Sequence, residues 1–206
     1  MNPYPNIPPN GYQIIYADPA WAFDNAVTRA AASDHYQVLT IDEIKRLPVG
    51  EIAAKDSTLF LWSPGSILPA ALSVLEAWGF KYKTIAWAWI KTYKNGKTVN
   101  GMGNATRQCC EFVLRGTRGR PRTISHKVSQ EIETEVDEVE VIRSIRGEHS
   151  AKPPIIRDRI VELLGDLPRV ELFARDNVIS WASIGNEIDG KDIKIALENI
   201  IPWIDF

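Results

Sequence analysis

Two kinds of apolar segment follow one another along this chain. One is a short continuous run of apolar residues, and the other has apolar residues every three or four positions, as in a helix. Continuous runs rich in β-branched and aromatic residues are typical of strands that are buried on both faces of a sheet. The first such run begins at Tyr12 and stops abruptly at Asp18-Pro19. Further runs predict strands at Ser57–Trp62, Lys83–Lys91, Gln108–Arg115, Val139–Arg143, Arg169–Ala174 and Val178–Ser183.

The helical spacing predicts helices between these strands. Thr40 is a suitable N-cap and Glu43 completes a capping box, so a short helix should begin there and end at Leu47. The other predicted helices are Ser66–Trp78, which Gly79 closes, Pro153–Leu164, and Gly190–Ile200, which Pro202 terminates. Glycines and asparagines crowd residues 92–106, which predicts a loop or hairpin.

Strands that alternate with helices indicate an α/β domain with a mainly parallel central sheet and helices on both faces. The length of 206 residues favours a single domain. We expect the proline-rich residues 1–11 to form an extended arm and residues 12–190 to form the domain. Residues 191–206 are rich in apolar side chains, so their helix and tail should either cover the core or form an interface.

Composition restricts the class of protein. No apolar run reaches the ~18 residues needed to span a bilayer, and the N-terminus has no signal-peptide pattern, so we expect a cytoplasmic protein without a membrane partner. The only cysteines, Cys109 and Cys110, are adjacent and poorly placed to bridge each other, as expected in a reducing compartment. The formal net charge of −2 argues against a non-specific nucleic-acid coat protein, but it allows an enzyme with a local basic face.

Residues 117–138 change from basic to strongly acidic. The basic half carries Arg118, Arg120, Arg122 and Lys127, and the sequence EIETEVDEVE begins at Glu131. Two interpretations stay open for this segment: a solvated excursion, or a basic half that contacts a polyanion.

Several kinds of chemistry lack their motifs here. No glycine-rich phosphate loop of the form GxGxxG or GxxxxGK[ST] follows a strand, and there is no GxSxG elbow. The histidines at 35, 126 and 149 lie far apart and lack zinc-ligand spacing, so no metal site is predicted.

The remaining candidate for chemistry is Asp18-Pro19, at the end of the first strand. Open α/β sheets place their ligands at the carboxyl ends of the strands, and Trp21 follows closely. These residues alone are equally consistent with a strand-ending turn beside a core tryptophan.

ADPAW at 17–21 is the first of seven short motifs. The others are LFLW at 59–62, WGF at 78–80, AWIKT at 88–92, EHSAKP at 148–153, ELFAR at 171–175 and IGNEIDG at 184–190. ADPAW looks like the DPPW signature of amino-group methyltransferases. In this order and spacing the seven motifs resemble the MT-A family, named for the catalytic subunit of the mRNA adenosine methyltransferase complex. Small bacterial and bacteriophage members look most similar, and the resemblance covers residues 12–190.

The resemblance implies a Rossmann-like S-adenosylmethionine fold and methyl transfer to N6 of adenine. This amine is a poor nucleophile, because its lone pair is delocalised, so acceptors on its two hydrogens would hold the nitrogen towards tetrahedral geometry. Asp18 and the Pro19 carbonyl would be these acceptors, and Trp21 would stack on the base or form the pocket wall. Positioning and electrostatics would carry the catalysis. Ala20 stands in place of the family's second proline, so no ring fixes φ there.

The resemblance also implies binding residues. Those expected at the cofactor are Asp18, Lys152, Arg175, Asn177, Asn186 and Glu187. The expected partners of Lys152 are the methionine carboxylate or the active-site edge, and those of the other late residues are the ribose hydroxyls and the adenine. Candidate substrate-binding residues are Tyr36, Lys91, Arg107 and Glu111, each of which also fits a solvated loop or strand end.

Nucleic acid is therefore the expected partner. DNA is preferred because the chain is compact and lacks a zinc finger or other RNA module, while RNA and a homo- or hetero-dimer stay open. One alternative is a non-catalytic nucleic-acid-binding or scaffold subunit of the same fold, which Ala20 favours. Another is methylation of a protein or small-molecule amine at the same site. Specificity would come from loops at 22–38, 92–107 and 117–138, or from a partner.

Overall fold

The computed structural model describes residues 6–21, 39–101, 105–135, 152–185, 188 and 192–201. Its strands are β1 Tyr12–Ala17, β2 Ala53–Pro64, β3 Lys81–Thr92, β4 Cys110–Arg118, β5 Glu131–Glu135, β6 Arg169–Leu172 and β7 Ala182–Ile184. Its helices are α1 Ile41–Arg46, α2 Val49–Ile52, α3 Leu68–Ala77, α4 Ile155–Leu164 and α5 Ile193–Ile200, with a 3₁₀ turn at Gly65–Ile67. No helix in these ranges is long and apolar enough to cross a membrane.

The strands form one sheet in the order β5-β3-β4-β2-β1-β6-β7. Strand β4 runs antiparallel to both of its neighbours, and every other neighbouring pair is parallel. The predicted α/β class with a mainly parallel sheet is therefore confirmed. Because of these directions, the carboxyl ends of β1, β2, β3 and β6 meet the beginning of β4 at one edge of the sheet.

Alternating side chains on β1 face two separate cores. Ile14 and Tyr16 pack with α4 on one face, which we call the α4 face. Ile15 and Ala17 pack with the other helices on the opposite face. Helices thus cover both faces, as predicted. Fully burying an isoleucine such as Ile15 contributes about 1.5–3 kcal/mol, which fixes the register of β1 and hence the position of the residue after it.

The C-terminal helix α5 covers the core. Its apolar stripe, formed by Ile193, Ala196, Leu197 and Ile200, is buried with the second set of β1 side chains. Residues 202–206 of the tail lie outside the described residues.

Helix α1 confirms the predicted capping box. The Thr40 hydroxyl accepts from the Glu43 amide at 3.2 Å, and the Thr40 amide donates to the Glu43 carboxylate at 2.9 Å. Lys194 of α5 also reaches this carboxylate, at 2.9 Å. The backbone hydrogen bond from Thr40, followed by the contact with Lys194, lowers the pKa of Glu43 to about 2.

The predicted strand at Val178–Ser183 is wrong for most of its length. Only Ala182–Ile184 forms a strand, and Ser180 has a φ of 67°. Ile179 is 93% exposed, while Trp181 packs edge-on against Tyr16 instead of entering the sheet. A short apolar run does not distinguish a buried strand from a turn whose apolar residues point in different directions.

Strand β4 does not end at Gly116, as the sequence suggested, but continues to Arg118. A side chain at Gly116 would lie 2.9 Å from the Leu75 methyl carbon, so glycine here allows α3 to pack closely on the sheet.

Part of the segment 117–138 is a strand and not a solvated excursion. Glu131–Glu135 pairs in parallel with β3, and its Ile132 is buried on the α4 face. The basic residues Arg118 and Arg120 lie at the sheet end opposite Asp18, where the Arg118 guanidinium donates to the Gly50 carbonyl and the Arg120 backbone amide donates to the Asp56 carboxylate. The predicted strand Val139–Arg143 lies outside the described residues.

Candidate active site

Asp18 lies at the sheet edge where several strand ends converge. The residue before it, Ala17, is paired with Leu61 of β2 on one side and with Leu172 of β6 on the other. Strand β4 begins at the same edge because it is antiparallel, and its Glu111 is paired with both Pro64 and Trp89. A carboxylate from an early strand and one from a middle strand therefore face the same space.

Four charged side chains connect at this edge. The Lys152 ammonium lies 3.1 Å from Asp18 Oδ2 and 3.2 Å from Glu111 Oε2. The Lys91 ammonium lies 3.0 Å from Glu111 Oε1. The side chains are only 11–21% exposed, so solvent screens their mutual attraction weakly. The two ammonium groups and two carboxylates alternate, which leaves the cluster electrically balanced.

The electrostatics keep Glu111 and Lys152 ionised at neutral pH. Burial alone would raise the pKa of Glu111, but Lys152 and Lys91 outweigh it and lower that pKa to about 2. Burial alone would lower the pKa of Lys152, but Asp18 and Glu111 outweigh it and raise that pKa.

Two tryptophans form the floor beneath the ammonium groups. Lys152 Nζ lies 5.2 Å from the centroid of the Trp62 ring, and Lys91 Nζ lies 4.4 Å from that of Trp89. The two rings meet edge-to-face at 5.7 Å. Such cation–π contacts contribute about 0.5–2 kcal/mol each and hold the ammonium groups at the sheet edge.

A buried hydrogen bond orients the Trp62 ring. Its indole N–H donates to the Tyr16 hydroxyl at 2.7 Å, and burial raises the pKa of Tyr16, so the phenol stays neutral. Our sequence reasoning assigned no role to Tyr16, Trp62 or Trp89. The available signal was the aromatic residues at every second position of LFLW and AWAW, which places them on one face of their strands.

The turn after Asp18 is closed by the backbone. The Trp21 amide donates to the Pro19 carbonyl at 2.9 Å, with Ala20 between them. The Trp21 ring is buried, and its indole N–H donates to the Trp62 carbonyl at 3.2 Å. Of the two roles expected for Trp21, this burial favours a pocket wall over an exposed stacking platform.

The other predicted residues divide into three groups. Arg107 lies three residues before β4 at the same edge, but it is exposed and forms no ion pair within the described ranges. Arg175 is half-buried and Asn177 is exposed, both in the segment that follows β6. Tyr36, Asn186 and Glu187 lie outside the described residues.

The carboxyl ends of β6 and β7 lie at the same sheet edge as Asp18, since Ala17 pairs with Leu172 and Leu172 with Ile184, and we call the polar groups there the polar cradle. A Cβ on Gly185 would overlap the Ala174 backbone, 2.6 Å from its nitrogen, so the two chain segments touch there. The Ser183 hydroxyl is buried and makes no hydrogen bond to any described residue. The Lys152 ammonium and the Ser183 hydroxyl, which has no hydrogen-bond partner among the described residues, suit a ligand that carries a carboxylate and sugar hydroxyls, as S-adenosylmethionine does.

A second buried ion pair lies behind this edge. Arg157 of α4 donates from Nε to Glu171 Oε2 at 2.6 Å and from Nη2 to Oε1 at 2.7 Å. Burial raises the pKa of Glu171, and nearby Asp18 adds to the rise, whereas Arg157 opposes it. This pair is not predictable from the sequence, because its members lie on separate elements and their spacing forms no motif.

Comparison with known proteins places these residues in a family. The MT-A70 family matches residues 12–187. The chain is 32% identical over 219 residues to Type II methyltransferase M.MunI from Mycoplasma sp, covering 96% of this chain and 87% of that protein. It is also similar to N(6)-adenine-specific methyltransferase METTL4 from mouse (26% identical, 91% of this chain) and human (23%, 86%). It spans only 40% and 37% of those two proteins.

Proposed function

The chain belongs to the MT-A70 family, and from this premise we propose that it is an S-adenosylmethionine-dependent methyltransferase that acts on N6 of adenine in DNA. The observation that carries the proposal is the Asp18 carboxylate, held at the sheet edge by Lys152 at 3.1 Å beside the polar cradle. The family, the strand-end carboxylate and the polar cradle all fit this chemistry.

Asp18 and Pro19 act on the amine of the substrate. The carboxylate accepts one N–H, and the Pro19 carbonyl accepts the other through the lone pair that the Trp21 amide leaves available. Two fixed acceptors hold the amine nitrogen so that its lone pair projects away from them. The resulting positive charge on nitrogen develops beside Asp18, which stabilises it electrostatically.

The cofactor residues are Asp18, Lys152, Arg175, Asn177, Asn186 and Glu187. Lys152 supplies a cation for a carboxylate, and Asn177 lies five residues after the end of β6. When bound, S-adenosylmethionine supplies the electrophilic methyl group. Among the described residues, the two ion pairs of Lys152 leave its third N–H available to a ligand.

The hairpin after β3, residues 92–98, is evidence for a polyanionic substrate. Thr92 bridges Thr98, and the Tyr93 amide donates to the Lys97 carbonyl at 2.8 Å, so the hairpin is preorganised. Lys94 and Lys97 are exposed at its tip, and no acidic residue occurs between 92 and 110. Lys94 and Lys97 follow Lys91 closely in the chain, so this basic tip suits the phosphates that flank a target base.

DNA is the preferred substrate because the relative matched along most of both chains is a bacterial Type II methyltransferase. The names of the METTL4 relatives specify N6 of adenine. Tritiated methyl incorporation into DNA, RNA and protein, measured side by side, tests this preference. Label in RNA alone or protein alone contradicts it.

The test of Asp18 is methyladenine mapping in DNA from cells that express the protein or Asp18→Ala. The variant should fold and still bind cofactor in calorimetry, because the other five cofactor residues remain, but it should leave adenine unmethylated. Asp158→Ala is the matched control, since Asp158 is an exposed aspartate on α4, and it should retain activity. Full activity of Asp18→Ala removes Asp18 from the mechanism. A wild-type protein that gives no heat with S-adenosylmethionine favours a non-catalytic subunit.

A further inference from the structure

Helix α4 begins three residues after Lys152, and Arg157 lies in its first turn. The Arg157 guanidinium forms a two-pronged contact with Glu171 of β6, at 2.6 and 2.7 Å. Glu171 is paired across the sheet with Tyr16 of β1, and the guanidinium lies 5.9 Å from the Tyr16 ring. Arg157 therefore joins the start of α4 to both strands that end at the active site.

Stability alone does not explain this pair. Moving two charges out of water is costly, and apolar replacements for buried ion pairs are often neutral or stabilising. The distinctive property of a planar guanidinium on a carboxylate is direction, since two parallel hydrogen bonds fix distance and orientation together. The pair thus fixes where the first turn of α4 lies above the sheet.

The chain between Arg157 and Lys152 is stiff enough to transmit that position. Pro153 and Pro154 lie between them, and each ring restricts φ. The Lys152 ammonium must meet Asp18 at 3.1 Å and Glu111 at 3.2 Å at once, a geometry that tolerates little displacement. A shift of the first helical turn would move Lys152 away from one of the two carboxylates.

We propose that Arg157 and Glu171 are positioning residues for methyl transfer: their pairing places Lys152 between Asp18 and Glu111, and Lys152 in turn holds Asp18 for the substrate amine. The catalytic consequence rests on the proposed function, whereas the placement of Lys152 can be measured independently of it.

The test replaces the pair by apolar side chains, Arg157→Met with Glu171→Leu. We expect unfolding stability close to that of the wild type, kcat lowered by about tenfold or more, and KM for DNA unchanged within about twofold. Acetylation by acetic anhydride, read by mass spectrometry, should modify Lys152 more readily than in the wild type. A merely structural role would not combine normal stability with low kcat and a reactive Lys152.

The matched control is Arg159→Met with Glu162→Leu. This ion pair lies on the same helix at 3.4 Å, but it is exposed and does not reach the sheet. It should leave kcat and Lys152 reactivity at wild-type values.

Unchanged Lys152 reactivity or wild-type kcat in the folded double variant overturns the proposal. If the double variant does not fold, Arg157→Lys tests the proposal instead. Lysine retains the positive charge but cannot form the two parallel hydrogen bonds of the planar guanidinium. Lower kcat with more reactive Lys152 supports the proposal, and wild-type values overturn it. A wild-type protein that methylates no nucleic acid refutes the proposed function instead, and Lys152 labelling still decides the placement.

Discussion

Glu111→Gln measures what the central carboxylate contributes to the charged cluster. Lys152 and Lys91 outweigh the effect of burial and lower the pKa of Glu111 from 4.5 to about 2. This difference corresponds to about 3 kcal/mol of stability that only the ionised carboxylate provides. Since the folded-state pKa is the lower one, the contribution is complete above the unfolded value of 4.5 and is lost as pH falls through about 2.

Urea unfolding at a series of pH values between 2 and 7, followed by circular dichroism, provides the assay. At pH 7 the variant should be less stable than the wild type by about 3 kcal/mol, because glutamine has the shape of a protonated glutamate and lacks its charge. The difference should shrink steadily below pH 4.5 and approach zero near pH 2.

Glu162→Gln is the control, since Glu162 is 48% exposed and pairs with Arg159 on the surface. Exposed pairs contribute about 0–1 kcal/mol, so this variant should follow the wild-type curve closely. A Glu111→Gln difference that does not vary with pH, or that stays below about 1 kcal/mol at pH 7, refutes the reasoning.

Three further variants test separate parts of the site. The double variant Lys94→Glu with Lys97→Glu should weaken DNA binding and reduce the slope of log affinity against log salt by about 2. The control, Lys81→Glu with Lys83→Glu at the other end of β3, should change neither the affinity nor the slope. Both quantities are measured by fluorescence anisotropy titrations at several salt concentrations. Gly185→Ala should cost about 1–3 kcal/mol in urea unfolding and weaken cofactor binding, because its Cβ meets the Ala174 backbone. Gly101→Ala is its control and should do neither, since the nearest described atom to its Cβ is 3.5 Å away. Tyr16→Phe should cost about 1–3 kcal/mol, measured by urea unfolding, by leaving the buried Trp62 N–H without its acceptor; wild-type stability would contradict this.

Local sequence patterns predict the parts of the fold that depend on neighbouring residues. The Thr40–Glu43 capping box and the helix at Ile155–Leu164 were predictable, since N-caps and helical spacing are local features. The end of β1 at Asp18 was predictable too, because an apolar run there meets a charge and a proline. Strand order and the antiparallel direction of β4 were not, since pairing is decided by contacts between distant residues.

The site was predictable only in part, for the same reason. The family resemblance predicts Asp18, Lys152, Lys91 and Glu111 as site residues. The structure joins all four in one chain of ion pairs. The resemblance gave no indication that Glu111 bridges two lysines, because that depends on β4 starting where β1 ends. In the late segment, the apolar run predicts a strand at Ile179, yet this residue is exposed in a turn.

Ala20→Pro tests whether the departure from the family signature affects function. The hydrogen bond from the Trp21 amide to the Pro19 carbonyl closes a three-residue turn, and Ala20, at its centre, has no positive φ. An inverse γ-turn places its central residue near φ −75°, which a proline ring accepts, and no hydrogen bond from the Ala20 amide is lost among the described residues. The backbone thus already holds the shape that a second proline would impose.

Proline at this position should therefore stabilise the fold by about 0.4–1 kcal/mol, by restricting the unfolded chain, and leave kcat for DNA methylation within about twofold. Thermal unfolding and steady-state methylation of the same preparations measure both quantities, with Ala54→Pro as a contrast that removes a backbone donor inside β2 and should destabilise. A rise in kcat of tenfold or more would mean that Ala20 does not hold the Pro19 carbonyl in its working position, and that this chain needs the missing ring to orient its second acceptor.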